Sequence, residues 1–95
     1  RVVFNLYDTE IWITVRQRDA TKVKDQIKDM QATLATDIGV IFRRADPAQL
    51  TEPTLATLTR QVKATVDDRI GRDAEGKPIV QEALVKKCIQ VRVDS

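Results

Sequence analysis

The stretch IWITVRQRDATKVKDQIKDMQATLATDI, residues 11–38, decides the fold because its hydrophobic period changes along its length. Ile11, Ile13 and Val15 alternate with Trp12, Thr14 and Arg16, a period of two that is rich in β-branched residues and predicts a strand. The apolar run upstream, residues 2–6, predicts either the first strand of a hairpin or the start of one long bulged strand. We favour the hairpin.

From Asp19 onward the apolar residues recur at helical spacing: Val23, Ile27, Met30, Leu34, Ile38 and Ile41. This stripe predicts one helix over residues 20–44, with Asp19 or Thr21 as its N-cap. Gly39 weakens that helix by about 1 kcal/mol relative to Ala, which would allow a bend there. Asp46-Pro47 predicts a cap and a short helical turn.

A second long helix is predicted from Pro53, with an apolar stripe at Leu55, Leu58, Val62, Val66 and Ile70. Gly71 follows the stripe, where a left-handed glycine often ends a helix. Residues 72–78 predict a polar turn, and residues 79–93 a long strand with a bulge near 85–87. These elements predict a single α+β domain over residues 1–95. It has a small, largely antiparallel sheet with two long helices on one face, in the order β(β)-α-α-β.

Composition excludes several classes of function. The 95 residues include no His and one Cys, so a Ser-His-Asp triad, a Cys-His nucleophile and an internal disulfide are all excluded. The longest charge-free stretches, 30–36 and 53–59, are far shorter than the ~20 apolar residues of a membrane span. The net charge of +2 comes from interspersed acids and bases, which argues against a nucleic-acid partner. The chain begins at Arg1 without Met, so we expect it to be an excerpt or a processed product.

Two motifs resemble catalytic ones but lack the required groups. Residues 71–78 match G-x-x-x-x-G-K and then place Pro78 where a phosphate loop needs Ser or Thr. Asp67 and Asp68 are adjacent on a helix and point about 100° apart, so we expect them not to share a site. Lys63 and Asp67 predict a weak surface ion pair. We therefore expect no catalytic or metal site, no cofactor and no small-molecule substrate.

The candidate interaction residues are an aromatic residue and two basic doublets: Trp12, Arg43, Arg44, Lys86 and Lys87. Trp12 points away from the stripe of residues 11, 13 and 15, so it is either core beneath a helix or an exposed anchor for a partner. The first doublet complements a helix C-terminus and the second guards a strand edge; together they could form a patch for an acidic partner or lipid headgroups. Cys88 is expected to be a small buried hydrophobic residue.

Four segments, about 60 residues in all, resemble the flagellar basal-body-associated FliL family. Ala32-Thr-Leu-Ala-Thr-Asp-Ile-Gly-Val-Ile-Phe-Arg-Arg-Ala-Asp46 looks like the family's helix before a turn, and Pro47-Ala-Gln-Leu50-Thr-Glu-Pro53 is similar to the passage after it. Leu58-Thr-Arg-Gln-Val-Lys63 resembles its next helix, and Val80-Gln-Glu-Ala-Leu-Val85 with Cys88-Ile-Gln-Val91 resembles its closing strand. Arg43-Arg44 stands where the family has a small polar pair.

The resemblance implies a stomatin-like, non-enzymatic domain on the periplasmic side of the bacterial inner membrane. It implies a tether through an N-terminal transmembrane helix outside this sequence, and assembly into a homo-oligomer or ring around the stator proteins of the flagellar motor. The alternative is a protein-binding or membrane-associated stomatin-like scaffold module unrelated to motility.

Overall fold

The described part of the chain forms a three-stranded sheet with helices packed on one face. The structure, a computed structural model, describes residues 1–6 and 9–87, with the backbone alone for Lys87. Its strands are β1 (Val2–Leu6), β2 (Thr9–Val15) and β3 (Val80–Lys87). Its helices are α1 (Ala20–Asp29), α2 (Gln31–Arg44), α3 (Pro47–Leu50) and α4 (Ala56–Ile70), with 3₁₀ turns at Gln17–Asp19 and Pro53–Leu55. The predicted α+β class with an antiparallel sheet is confirmed.

β2 is the central strand and pairs antiparallel with both neighbours. The pairing of Val2 with Ile13 and of Leu6 with Thr9 confirms the hairpin. The register with β3 shifts between Thr14 and Val15, whose partners are Glu82 and Val80. The bulge predicted near residues 85–87 is therefore wrong: pairing is regular there, and Gln81 is the extra residue. The alternation of buried and exposed side chains along β3 is interrupted at Gln81, because Val80 is also buried in the core. Residues 88–93 of the predicted strand, with Cys88, lie outside the described residues.

The core lies between the sheet and the helices. β2 contributes every second side chain to it, as a strand with one covered face must. The buried apolar side chains of the sheet are Val2, Leu6, Ile11, Ile13, Val15, Val80 and Val85. Those of the helices are Val23, Ile27, Leu34, Ile38, Leu58, Val62, Val66 and Ile70. The predicted helix stripes are thus the buried faces, apart from the half-exposed Leu55, Met30 and Ile41.

The predicted helix over residues 20–44 is two helices, and the break is at Met30 rather than at Gly39. Met30 has φ −106° and ψ 18°, yet its N–H still donates to the Gln26 carbonyl at 3.0 Å. The helix axis therefore bends while most hydrogen bonds continue. The bend lets α1 pack on β1 while α2 packs along α4. Gly39 lies inside α2 without interrupting it, because a glycine is tolerated where the neighbouring turns are packed.

The second long helix begins three residues later than predicted. Thr54 and Leu55 have positive φ angles of 58° and 50°, so the chain turns left-handed before α4. This turn lets Leu55 pack against the core. The carboxylate of Glu52 then caps the helix: it accepts the Thr57 N–H at 3.2 Å and the Thr57 hydroxyl at 2.8 Å. Asp46 caps α3 with Pro47 in its first turn, as predicted.

The loop after α4 is tied to the end of β2 by an ion pair. Gly71 has the predicted positive φ, 90°, but its ψ of −158° is extended rather than left-handed helical. Arg16 Nη1 lies 2.9 Å from Asp73 Oδ2, and Asp73 Oδ1 accepts the N–H groups of Glu75 and Lys77, each at 2.9 Å. The Lys77 N–H and the Arg16 guanidinium hold the pKa of Asp73 below its ordinary value of 3.8, although partial burial opposes them.

Candidate interaction face

The face of the sheet turned away from the helices carries the candidate site. Alternate side chains of each strand point to this face, which we call the open face: Val3, Asn5, Glu10, Trp12, Thr14, Glu82, Leu84 and Lys86. None of these side chains is buried. Within residues 1–6 and 9–87, the helices cover only the other face. The open face is therefore a solvated surface in the described part of the chain.

An apolar row crosses the middle of the open face. Val3 pairs with Trp12 across β1 and β2, and Trp12 pairs with Leu84 across β2 and β3. Val3 is 44% exposed and Leu84 is 37% exposed, although both are large aliphatic residues. Directly opposite residues on one sheet face lie about 5 Å apart, so the three side chains form a continuous apolar strip.

Charged groups surround Trp12. Lys86 Nζ lies 4.1 Å from the centroid of the indole ring, and the Arg1 guanidinium carbon lies 5.6 Å from it. Both are within cation–π range. The indole N–H donates to the Glu10 carboxylate, and Glu10 is the cross-strand partner of Lys86. These contacts hold the ring in place beside a shallow depression of about 160 Å³, lined in part by Arg1, Thr14 and Glu82.

The structure decides between the two expectations for Trp12. The described helices lie on the other side of the sheet, so none of them covers Trp12. It lies half-buried at the centre of the open face, where it can contact a partner. Part of its surface is covered because Arg1, Glu10 and Lys86 contact the ring.

Lys86 does not share a surface with the first basic doublet, so it does not contribute to the joint patch that the two doublets could have formed. Arg43 and Arg44 are exposed in the last turn of α2, in the helical layer. Lys86 lies on the open face, so the sheet separates it from the arginines. The backbone of Lys87 pairs with Thr9. Basic residues that are distant in sequence form one patch only if the topology places their elements on the same side of the sheet. Lys86 and the two arginines lie on opposite sides.

Val3 and Leu84 are the apolar members of this face that the sequence analysis missed. Leu84 lies in the run Ala83-Leu84-Val85, where three consecutive apolar residues hide the alternation. Val3 lies in a similar run. The register of the sheet, which the sequence does not specify, assigns both residues to the side of Trp12.

A second candidate region lies where α4 meets the loop after it. An open cleft of about 450 Å³ is lined by Asp67, Asp68, Arg72 and their neighbours. Asp67 and Asp68 both line this cleft, and their adjacent helix positions still direct the two side chains about 100° apart. Lys63 Nζ lies 2.8 Å from Asp67 Oδ2, which confirms the predicted ion pair. Asp67 Oδ1 is buried without a hydrogen-bond partner. Arg72 donates to the Gly76 carbonyl.

No group of three His, Cys, Asp or Glu side chains in the described ranges is arranged to hold a metal ion. Among the helices the structure describes, none is both long and apolar enough to cross a bilayer. The chain matches no family model, no curated protein and no solved structure. The likeness to FliL therefore rests on the residues quoted for it.

Proposed function

We propose that this domain is a non-enzymatic scaffold resembling FliL, which self-associates and supports the stator of the flagellar motor on the periplasmic side of the inner membrane. The observation that carries the scaffold part of the proposal is the open face. A row of Val3, Trp12 and Leu84 crosses it, flanked by charged side chains on both sides. An apolar centre with a charged rim is the anatomy of a protein-binding surface.

The energetic centre of this surface is Trp12. Tryptophan is enriched among the residues that dominate binding energy, because its large ring buries much apolar area at a small entropic cost. Here the ring is held by Glu10, Lys86 and Arg1 before any partner arrives. A side chain that is already positioned loses little conformational freedom on binding.

The four FliL-like segments in the sequence support the proposal that the domain acts at the flagellar motor. The alternative, a protein-binding or membrane-associated stomatin-like module unrelated to motility, uses the same open face. The two differ in the partner, so an experiment in cells separates them.

The test replaces Trp12 with Ser in the full-length gene and compares it with Leu50→Ser as a control. Leu50 is 38% exposed and lies on α3, which contacts α4 in the helical layer on the other side of the sheet. We expect Trp12→Ser to lower swimming and the recovery of stator proteins with the scaffold, with Leu50→Ser unchanged. Unaltered swimming after deletion of the whole gene would refute the motor assignment. Unaltered stator recovery with Trp12→Ser would refute the role of the open face.

A further inference from the structure

We infer that a second copy of this chain docks on the open face, giving a face-to-face dimer whose two-fold axis runs along the row Val3–Trp12–Leu84, across the strands. This inference rests on the proposed self-association and assigns it a surface and an orientation. In this arrangement each of the three apolar side chains packs on its own counterpart, with Trp12 at the centre.

The charges on either side of the apolar row specify the orientation. The row at one side is Arg1, Thr14 and Glu82; the row at the other side is Asn5, Glu10 and Lys86. A two-fold rotation about the central row places the first flanking row of one copy over the second flanking row of the other copy. Glu82 then meets Lys86 of the second copy, Thr14 meets Glu10, and Arg1 meets Asn5.

This rotation brings no like charges together, and it makes two Glu82–Lys86 pairs by symmetry. The other simple choice is a two-fold axis along β2. That axis would also pair Arg1 with Glu82, but it places Glu10 directly over Glu10 of the second copy, and two desolvated carboxylates facing each other are strongly unfavourable. The charge pattern therefore selects the axis across the strands. Sheets that pack face to face keep their strands within about 30° of each other, which this arrangement permits.

The size of the face indicates a weak dimer. Three strands about 4.8 Å apart and five residues long at about 3.3 Å per residue give a footprint on the order of 250 Å². A stable complex buries about 800 Å² on each partner, so this contact is transient at low concentration. Tethering of many copies to one structure raises the effective concentration to about the millimolar range, where a weak contact is occupied.

The first measurement uses the intrinsic fluorescence of Trp12, since the chain has one Trp. We expect the emission to shift to shorter wavelength as concentration rises from about 10 μM to about 1 mM, in step with dimer in sedimentation equilibrium. Leu84→Thr should weaken association about tenfold. Leu50→Thr is the matched control, because Leu50 and Leu84 are 38% and 37% exposed, and should leave association unchanged.

Charge reversal tests the orientation. Glu82→Lys and Lys86→Glu should each weaken association about tenfold at low salt, because each substitution turns the two symmetry-related Glu82–Lys86 pairs into like-charge pairs. The double variant restores opposite charges and should associate within about threefold of the original chain. Sedimentation is the readout for these variants, since loss of Lys86 alters the surroundings of Trp12 in the monomer.

A double variant no better than either single one overturns the orientation, and a strict monomer at about 1 mM overturns the dimer. A concentration-independent change in Trp12 emission on removal of residues 88–95 would assign the face to the chain's own C-terminal residues, which also overturns the inference. If stator recovery in cells persists in a chain that fails these tests, the proposed function stands and the dimer alone is wrong.

Discussion

Leu58→Ala tests the packing of α4, the helix that carries much of the core. Leu58 is 0% exposed, so the substitution removes three buried carbon atoms and leaves a cavity wherever the neighbours cannot collapse. Buried Leu→Ala changes cost 2–5 kcal/mol, and we expect about 3 kcal/mol in the free energy of unfolding.

The matched control is Leu50→Ala, the same chemical change at a residue that is 38% exposed. Its cost should stay below about 1 kcal/mol, because most of the cavity term is missing at a half-open site. Both variants should keep the urea dependence of the free energy unchanged, which verifies that the unfolding reaction is the same. In thermal unfolding, the Leu58 variant should melt about 12–24 °C lower for a domain of this size.

Urea unfolding followed by far-UV circular dichroism supplies both free energies. A loss under about 0.5 kcal/mol for Leu58→Ala would mean that α4 does not bury the face that contains Leu58, Val62 and Val66. Equal losses of unfolding free energy for the two variants would also contradict the prediction, because Leu58 is buried and Leu50 is exposed.

Two further predictions concern the loops. The pKa of Asp73 is lowered by the Lys77 N–H and by Arg16 in the folded chain, so its stabilising contribution is complete above the unfolded value near 3.8 and is lost as pH falls through the lower folded value. Asp73→Asn should therefore lower stability at neutral pH and flatten its decline below about pH 4 in acid titrations; an unchanged decline would remove Asp73 as a cause. Thr54→Gly should raise stability by up to about 1 kcal/mol, because its φ of 58° suits glycine, whereas Thr65→Gly inside α4 should lower it by a similar amount. Urea titrations of the two variants measure both changes in the free energy of unfolding. A lower stability for both variants would contradict the expected benefit of glycine in the left-handed turn.

Periodicity alone predicted the strand over residues 11–15 and the buried faces of the helices. The alternation of residues 11–15 and the stripe through Leu58, Val62, Val66 and Ile70 each correspond to a buried face. These features are local: each depends on side chains a few residues apart, and a strand or helix with one covered face must show its own period. The cap at Asp46-Pro47 was predictable for the same reason, since it involves neighbouring backbone groups.

Features that depend on how distant segments meet were not predictable. The bend fell at Met30 and not at Gly39, because packing of α1 on β1 and of α2 on α4 outweighs the propensity of one glycine. The left-handed turn at Thr54 and Leu55 is also stabilised by a tertiary contact, because it allows Leu55 to pack against the core.

The sequence by itself therefore determined the fold class, the helix faces and the position of Trp12 on the side of β2 opposite residues 11, 13 and 15. Only the tertiary structure decided that Val3, Trp12 and Leu84 share one row and that Lys86 and Arg1 flank the indole. It also separated Arg43 and Arg44 from Lys86 by a layer of sheet. The physical reason is register: hydrogen bonds between strands align residues about 70 positions apart, and the shift at Gln81 determines which side of the sheet each residue of β3 faces.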